Sequence, residues 1–487
     1  MEAVWKVIDF VNGIIWAQWV LYAVLAVGLL FTVWSFFGQY RALTHGTAVI
    51  RGKYDDKNDP GAINHFQALS AALSATVGLG NIGGVAVAVA IGGPGAVFWM
   101  WMVGVVGMAL KMTEVTLSMM YRNTDSPDNP HGGPMWVVRE GMSKWSPGLR
   151  PLGALIGGIF CVTLLISTLT GGNMFQAWSV ADATQSNFGV PRIAVGIILC
   201  VMVGAVIIGG IKRIGAVAGR LVPFMCVIYL LAAIAVILMK IGDVPDVLML
   251  IFKSAFNPEE AQGAFMGGTF GLALAWGMKR ALFSSEAGQG SSPIAHSAAK
   301  TDEPVREGVV AGLEPFIDTI VVCTLTAIVI LVSGAWNRGP EAHFDAPPVL
   351  VQDADQKWTV ESTALPPKDP EVKEYATDWN AGDTLFIIVE AEANKDQGTN
   401  LKQITGKVER NTTTGDLQIA WGSVTVKDAE GNPVTPKVRD TGLFANYASA
   451  SLTSHAFNRV IPGLGKWLVV GAAWLFAIST MISWSYY

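Results

Sequence analysis

Charged residues and cysteines are scarce in this sequence. Only 15% of its 487 residues are charged, while 51% are hydrophobic, whereas soluble domains carry about 25% charged residues. The composition therefore excludes an ordinary soluble protein and indicates an all-α polytopic membrane protein. The four cysteines lie in apolar stretches without Cys-x-x-Cys spacing, so they predict neither a disulfide framework nor a metal site.

Catalytic signatures are also missing from the sequence. It contains no His-Glu-x-x-His, no Gly-x-Ser-x-Gly and no pair of catalytic acids within an apolar segment. The run FSSEAGQGS at 283–291 lacks the Gly-Lys-Ser/Thr ending of a phosphate-binding loop. We therefore expect neither an enzyme nor a nucleic-acid-binding protein.

Long apolar segments predict membrane-spanning helices, because about 20 apolar residues cross a bilayer. Lysine and arginine are concentrated in the links after the first segment and at 121–151, 209–220 and 279–306. Alternate threading puts these links on one side, which the positive-inside rule assigns to the cytoplasm. We expect a multi-pass protein of the inner (plasma) membrane with its N-terminus outside. The predicted spans lie near 14–37, 66–92, 96–120, 152–180, 193–211, 215–240, 264–281, 307–334 and 464–487.

One long segment differs in character from the rest. Residues 335–440 combine turn clusters with short β-prone runs, a pattern that predicts a small β-rich insert on the outside. The predicted organisation is a helical bundle over 1–334, the insert over 335–440, and a surface helix followed by the last spanning helix over 441–487.

The second predicted span contains a cluster of glycines at its centre. Residues 76–84 read TVGLGNIGG, and each glycine in a helix interior costs about 1 kcal/mol relative to alanine. One interpretation is close helix packing through small residues. The other is a helix broken at membrane depth, where secondary transporters bind ions and small solutes. Asn81 and Thr76 favour the broken helix, because packing does not require polar side chains.

Several long motifs resemble those of the prokaryotic alanine or glycine:cation symporter family. This resemblance implies the fold of the bacterial leucine transporter, with two inverted repeats of five helices whose first helices are interrupted. It covers nearly the whole chain outside 335–440, an insert that typical members lack. Members usually continue past the point where this sequence ends, so the second repeat is expected to be incomplete, in a fragment or a truncated protein. The motifs are FQALS at 66–70, TVGLGNIGG at 76–84, GGPGAVFWMW at 92–101, GGPMW at 132–136, GNMFQA at 172–177, FSSEAGQGS at 283–291, FIDTIVVCT at 316–324 and FAIST at 476–480.

The resemblance also implies two sodium sites, with Na+ as a transported ion and not a prosthetic group. The first would combine the Thr76 carbonyl and the Asn81 side chain with Thr269 of the opposite repeat. The second site would use backbone and hydroxyl oxygens of Ser74, Val77, Ser479 and Thr480. The hydroxyls of Ser479 and Thr480 could instead bond back to the preceding helical turn, and without the family resemblance this interpretation would be favoured.

The expected substrate is a small neutral amino acid. Its carboxylate would lie at the half-helix N-terminus 79–81, where free N–H groups favour negative charge. Its ammonium would meet carbonyls at 266–271 (MGGTFG), the predicted second break. Neither segment holds a charged residue, and burying an unpaired charged side chain is costly, so charged substrates are disfavoured. The expected substrate contacts are Thr76, Gly78, Leu79, Gly80, Gly267, Gly268, Thr269, Phe270 and Trp276, of which the two aromatic residues could equally pack in the core.

Two amides in the fourth predicted span could line the same cavity. Asn173 and Gln176 lie three residues apart on one helix face. They could contact the substrate, or they could hold helices together through hydrogen bonds. Nearby threonines and a similar cluster in the family favour the cavity.

Charged residues within predicted spans point to coupling or gating. Asp318 lies near the middle of its span, where an acid costs about 2.5 kcal/mol or more. It could ligate sodium, carry a proton or pair with a neighbour. Glu314 lies four residues away on the same face. Glu286 is a candidate for an intracellular gate, and Lys111 with Glu114 predicts a structural salt bridge or a gate element.

Three functions are consistent with these features. The first is sodium-coupled symport of alanine or glycine by alternating access. The second is a proton-coupled amino-acid carrier with Asp318 as the relay. The third is a membrane-anchored binding or sensory protein that does not transport and recognises a partner through its insert.

Overall fold

The computed structural model describes residues 2–56, 58–257, 270–353, 357–361, 363–373, 378–390, 401–411, 415–426, 434–447 and 449–487. Within these residues, six helical stretches are long and apolar enough to cross a membrane, and one bent pair of helices adds a seventh. The chain is therefore a multi-pass membrane protein. The six stretches are Phe10–Trp34, Gly95–Tyr121, Pro147–Gln185, Gly210–Met239, Pro304–Val332 and Leu464–Trp484.

The helices of the first half follow the predicted spans closely. A π-helical segment, Thr168–Met174, joins two helices into the long fourth span. Another π-helical segment, Ala42–Gly46, lies in the link after the first span. The helices are α1 (Glu2–Ile15), α2 (Gln18–Trp34), α3 (Gly38–Arg41), α4 (Thr47–Ile50), α5 (His65–Thr76), α6 (Val85–Gly92), α7 (Gly95–Tyr121), α8 (Pro134–Trp145), α9 (Arg150–Ser167), α10 (Phe175–Phe188), α11 (Arg192–Ile207), α12 (Gly210–Met239) and α13 (Val244–Phe256).

Most helices of the second half are shorter than those of the first. Asp318 lies in a third π-helical segment, Phe316–Cys323, which belongs to the same continuous span as the helices on either side of it. The remaining helices are α14 (Phe270–Ser285), α15 (Ser292–His296), α16 (Pro304–Ala311), α17 (Leu313–Pro315), α18 (Thr324–Val332), α19 (Pro370–Lys373), α20 (Ala450–Val460) and α21 (Leu464–Trp484).

The glycine cluster breaks the second span, as the sequence predicts. The Asn64 side chain and Gln67 form a capping box that starts α5. At the other end, Val77 is extended, with φ −76° and ψ 93°. The chain resumes as a π-helical segment, Gly80–Gly84, that continues into α6. The two halves meet at an angle of 51°, so backbone groups are left without helical partners at the break.

A second interruption lies at 286–291, between α14 and α15. Glu286 has a φ of 52°, and Gly288 and Gly290 have φ of 80° and 82°. Left-handed backbone favours glycine and costs other L-residues about 1–2 kcal/mol. From the sequence, Glu286 in this run was a candidate gate residue, and the second helix break was expected at 266–271. Residues 266–269 of that prediction lie outside the described part of the chain.

Contacts along α14 show that this interruption lies at the depth of the first. At the middle of α14, a Cβ on Gly277 would lie 2.5 Å from the Ala96 carbonyl oxygen, just past the turn that joins α6 to α7. Toward its end, the Phe283 ring faces Gly80 in the first break. Lys279 and Arg280 consequently lie toward the α6–α7 turn, and not on the side of the basic links to which their sequence position assigned them.

Eight strands lie between Ala342 and Ala445 in the described residues, and every pairing among them is antiparallel. One sheet has the order β1-β8-β4-β5-β6, with β7 also paired to β4, and β2 and β3 form a separate pair. The strands are β1 (Ala342–His343), β2 (Leu350–Gln352), β3 (Trp358–Val360), β4 (Thr384–Glu390), β5 (Leu401–Arg410), β6 (Leu417–Trp421), β7 (Lys437–Val438) and β8 (Gly442–Ala445).

Strand β8 corrects the expected boundary of the insert. Helical structure was expected from 441, but all four residues of β8 are buried strand, and helix begins only at Ala450. The apolar run of β8 pairs with both β1 and β4, and this pairing outweighs its local helical pattern. The apolar stretches that hold the four cysteines predict buried side chains, yet only Cys226 and Cys323 are buried, whereas Cys161 and Cys200 are exposed.

Candidate functional site

The first break is organised by the side chain of Asn81. Its amide oxygen accepts a hydrogen bond from the Gly78 N–H at 2.7 Å. This bond closes the chain over Leu79 and fixes the start of the π-helical segment that begins at Gly80. Val77 still donates to the Leu73 carbonyl at 2.7 Å, so the fully buried Asn81 supplies the partner of the next N–H, that of Gly78.

The break contacts α21 through buried hydroxyl groups. Ser74 Oγ donates to the Ser479 carbonyl at 2.6 Å. Thr480 Oγ1 is buried and has no hydrogen-bond partner among the described residues, and a Cβ on Gly78 would lie only 2.9 Å from it. The structure thus brings together the residues predicted for the second sodium site. A buried hydroxyl without a partner is costly, and a hard cation prefers oxygen ligands.

Asp318 faces the opposite side of the first break. Its Oδ1 accepts from the Asn81 amide at 2.5 Å, and its Oδ2 accepts from Ser284 and Thr319 hydroxyls at 2.8 Å each. Asp318 is fully buried, and the described residues form no ion pair with it. Asn81 also donates to Ser284 Oγ at 3.1 Å. Neutral donors from three different segments therefore surround a buried carboxylate.

Glu286, the candidate for an intracellular gate, lies in the second interruption. Its side chain is 4% exposed and accepts a hydrogen bond from the Ser291 hydroxyl. A Cβ on Gly107 would lie 3.2 Å from the neighbouring Ala287, which places the interruption near the middle of α7. An acid and glycine-rich backbone therefore meet at the depth of the first break.

Comparison with known proteins agrees with this architecture. The sequence model of the sodium:alanine symporter family matches residues 1–357. The chain belongs to the sodium:alanine symporter family. Its relatives are transporters and not enzymes, as the missing catalytic signatures predict. The family also supports sodium and an amino acid as the transported species.

The relatives of this family member are named for more than one amino acid. The chain is 42% identical to the sodium/alanine symporter AgcS of Methanococcus maripaludis over 329 residues, which are 68% of this chain and 71% of AgcS. It is 34% identical to the amino-acid carrier protein AlsT of Bacillus subtilis over 335 residues, 69% of this chain and 68% of AlsT. A third relative from Bacillus subtilis, GlnT, is 36% identical over 332 residues, 68% of this chain and 66% of GlnT, and its name is probable sodium/glutamine symporter.

Several residues predicted for the substrate site of this family member are not placed beside the first break. Gly267, Gly268 and Thr269 fall outside the described residues. Phe270 opens α14, so about 20 Å of helix separates its backbone from that of Ser284 beside the first break. Trp276 lies near the middle of α14, where its ring packs against Arg280 with the guanidinium carbon 5.2 Å from the ring centre.

The two amides of the fourth span lie in or beside its π-helical segment. Asn173 donates to the Thr168 carbonyl at 2.9 Å, and its oxygen accepts from Ser485 at 3.3 Å. Gln176 donates to the Gly171 carbonyl at 3.3 Å, and its buried Oε1 has no partner among the described residues. Asn173 therefore joins this segment to the end of α21, whereas the bond of Gln176 stays within its own helical stretch.

A cluster of buried ionisable residues was missed in the sequence. His65 contacts Glu307, and His296 contacts Glu307 and Glu314. Glu314 also lies 3.3 Å from Lys111, which is closer than the expected partner Glu114 at 3.8 Å. The only available signal was the presence of histidines and acids within or beside apolar segments.

Arg122 closes the end of the bundle that carries this cluster. Its guanidinium donates to the carbonyl groups of Pro60, Ser297, Ala299 and Thr301. Burial lowers the pKa of Arg122, and nearby Glu307, Asp302 and Asp59 partly offset that effect. One side chain thus joins the links before α5, after α7 and after α15.

Helix α20 covers the first break from the opposite end of the bundle. Thr453 donates to the Ile82 carbonyl at 2.9 Å, and Ser449 packs against Gly83 so closely that a Cβ there would lie 2.1 Å from its hydroxyl. The His455 ring stacks on Tyr447 with ring centres 4.1 Å apart. Burial and the nearby cations Arg338, Arg459 and Lys368 lower the pKa of His455 to about 2.

Proposed function

We propose that this chain is a sodium-coupled symporter that carries a small neutral amino acid, alanine or glycine, into the cell by alternating access. The observation that carries the proposal is the buried Thr480 hydroxyl, which faces Gly78 at the break and has no hydrogen-bond partner in the described part of the chain. A sodium ion at this position would supply the missing partner. The family membership supports sodium as the coupling ion.

The proposed sodium ligands lie on both sides of the break. Ser74 and Ser479 are already in contact across it, and Val77 turns its backbone out of the helix. With Thr480, they provide oxygen ligands without formal charge. A second ion would use the Thr76 carbonyl and Asn81 with Thr269 of the opposite repeat. Sodium is cargo in this scheme, and the residues act by replacing its water shell with protein oxygens.

The proposed substrate site lies between the two interruptions. The substrate carboxylate would face the backbone N–H groups of 79–81, at the start of the π-helical segment, where the helix dipole favours negative charge. The contact between Gly80 and the Phe283 ring leaves little space there, which fits a small side chain. For the ammonium group, the carbonyls of 286–291 replace those of 266–271, because this interruption faces the first.

Two inverted repeats of the leucine-transporter type account for the arrangement. One repeat would begin with the pair α5 and α6, and the other with the pair α14 and α15. The first pair crosses from the basic links to the α6–α7 turn, and the second crosses in the opposite direction. Their interruptions at one depth support this fold, since such a site can be exposed alternately to either side.

Uptake of labelled alanine into proteoliposomes tests the proposal. An inward sodium gradient should drive accumulation, whereas an equal potassium gradient should not. Thr480→Val removes one hydroxyl at nearly constant volume, and we expect a roughly tenfold weaker apparent sodium affinity, because a bond to a charged group contributes about 1.5 kcal/mol. Thr113→Val is the matched control, because the Thr113 hydroxyl donates to the Ala109 carbonyl. Equal uptake in sodium and potassium would contradict the proposal.

A proton-coupled carrier is the second candidate, and Asp318 favours it. A buried carboxylate held by neutral donors can bind a proton as readily as a sodium ion. In that case an inward proton gradient should drive alanine uptake in sodium-free buffer. Failure of the proton gradient to drive uptake would exclude this candidate and leave the sodium symporter.

A further inference from the structure

Five buried ionisable side chains form a continuous series of contacts beside the proposed transport site. His65 Nδ1 contacts Glu307, whose other carboxylate oxygen lies 2.5 Å from His296 Nδ1. His296 Nε2 lies 2.8 Å from Glu314 Oε1, and Glu314 Oε2 lies 3.3 Å from Lys111 Nζ. All five side chains are at most 1% exposed. We name His65, Lys111, His296, Glu307 and Glu314 the inner cluster.

The position of His296 requires an additional proton in the inner cluster. A neutral imidazole has one N–H donor and one acceptor nitrogen, whereas an ionised carboxylate only accepts. His296 directs both ring nitrogens at carboxylate oxygens. Both contacts are hydrogen bonds only when His296 is an imidazolium or when Glu307 or Glu314 is protonated. In either case His296 shares one additional proton with Glu307 or Glu314.

His65 connects this proton to the surface. Its Nε2 is buried without a hydrogen-bond partner and lies 4.0 Å from Asp55 Oδ1, whose side chain is 48% exposed. Since 4.0 Å exceeds a hydrogen bond, one bridging water would carry a proton from Asp55 to His65 Nε2, while the Nδ1 proton of His65 passes to Glu307 and then to His296. Each transfer breaks one O–H or N–H bond and forms one on the next atom, so one positive charge moves inward.

One shared proton leaves the inner cluster close to neutral. The positive charges of Lys111 and protonated His296 then balance the carboxylates of Glu307 and Glu314. Loss of a proton leaves a negative excess inside the bundle, where charge is costly. The other charged or titratable groups that face the cluster are Asp55, Asp59, Glu114, Arg122, Glu286, Asp302, Arg306, Asp318 and Tyr487.

The contacts of the inner cluster join several helices on the side of the basic links. His296 is the last residue of α15, Glu307 lies in α16 and Glu314 lies in α17. We propose that the inner cluster is a proton-binding site that exchanges with the side of the basic links, and that the bound proton holds α15 against α16 and α17. Without that proton, a lone pair of His296 faces a carboxylate and these helices separate more easily.

Selective labelling of histidine with ¹⁵N tests proton binding in the full chain, independently of transport. The sequence contains six histidines, so their signals can be assigned in detergent by replacing them one at a time. We expect the His296 signal to titrate between about pH 5 and about pH 10, displaced from that of exposed His131. A His296 signal that stays constant over this range, or that follows His131, would overturn the proposal.

The pH dependence of alanine uptake tests whether the bound proton affects transport. This measurement rests on the proposed symport. With equal pH on both sides and a fixed sodium gradient, wild-type uptake should change by up to about tenfold per pH unit where His296 titrates. His296→Gln should flatten this profile, whereas His131→Gln should retain it. Identical profiles in wild type and His296→Gln would overturn the proposal. If no variant transports, the symport proposal fails, while the ¹⁵N titration still decides whether the cluster binds a proton.

Discussion

Asn81 and Asp318 are separated by 237 positions in the chain, yet the Asn81 amide donates to the Asp318 carboxylate at 2.5 Å. The same Asn81 side chain binds the Gly78 N–H. A single amide therefore connects the acid of one span to the broken backbone of another. Any change in the charge of Asp318 acts directly on the geometry of the break.

Asp318→Asn should uncouple transport from the ion gradient. The substitution preserves the shape of the side chain but removes its charge, so an ion attracted by the carboxylate loses its counter-charge. We expect concentrative alanine uptake to fall at least about tenfold, the effect of about 1.4 kcal/mol. Exchange of internal for external alanine should persist, because it needs no net ion movement. Asp182→Asn is the control, since this acid pairs with Arg192 at a partly exposed position, and wild-type behaviour of Asp318→Asn would exclude the coupling role.

Gly78→Ala should abolish uptake while leaving the protein folded. The new methyl group would lie 2.9 Å from Thr480 Oγ1, in the space that we assign to sodium. Gly158→Ala is the matched control, because no atom lies within 4 Å of a Cβ at that position. Sodium-driven alanine uptake by the two variants, purified in equal amounts, gives the comparison. Normal uptake by Gly78→Ala would argue against an ion at this position.

The position of the first break could be predicted from the sequence. Four glycines and Asn81 within nine residues have a local cost in any helix, so their position marks the break. The interruption at 286–291 was not predicted, and only its contacts with α7 and those of Phe283 with Gly80 show that it lies at mid-depth. The predicted break at 266–271 lies mostly outside the described residues. His65 and Glu307 are 242 residues apart, and no local pattern predicts such a contact. The pairing of Ser74 with Ser479 came from the family resemblance and not from spacing.

Acid should destabilise the junction between α20 and the sheet through His455. Burial and nearby cations lower its pKa from 6.5 to about 2, so the folded protein keeps this ring neutral while the unfolded chain takes up a proton. The resulting stabilisation is complete above about pH 6.5 and is lost progressively as the pH falls toward 2. At one unit below the unfolded pKa the loss is about 1.4 kcal/mol.

Thermal unfolding in detergent at about pH 7.5 and about pH 5.5 measures this effect. We expect a lower Tm for the wild type at the acidic pH and a smaller difference in His455→Phe, which cannot titrate. His343→Gln should behave like the wild type, because the His343 side chain is 52% exposed. An equal pH dependence in wild type and His455→Phe would refute the prediction.

Two glycines of the second interruption should differ in their tolerance of alanine. Gly288 and Gly290 share a left-handed φ of 80° and 82°, so each substitution carries a backbone cost of about 1–2 kcal/mol. A Cβ on Gly288 meets its nearest atom at 3.8 Å, whereas on Gly290 it would lie 2.5 Å from Pro134. Gly290→Ala therefore adds overpacking of about 1–3 kcal/mol. Thermal unfolding should give the highest Tm for the wild type, a lower Tm for Gly288→Ala and the lowest for Gly290→Ala. Equal Tm values of the two variants would contradict the close packing of Gly290 against Pro134 at the start of α8.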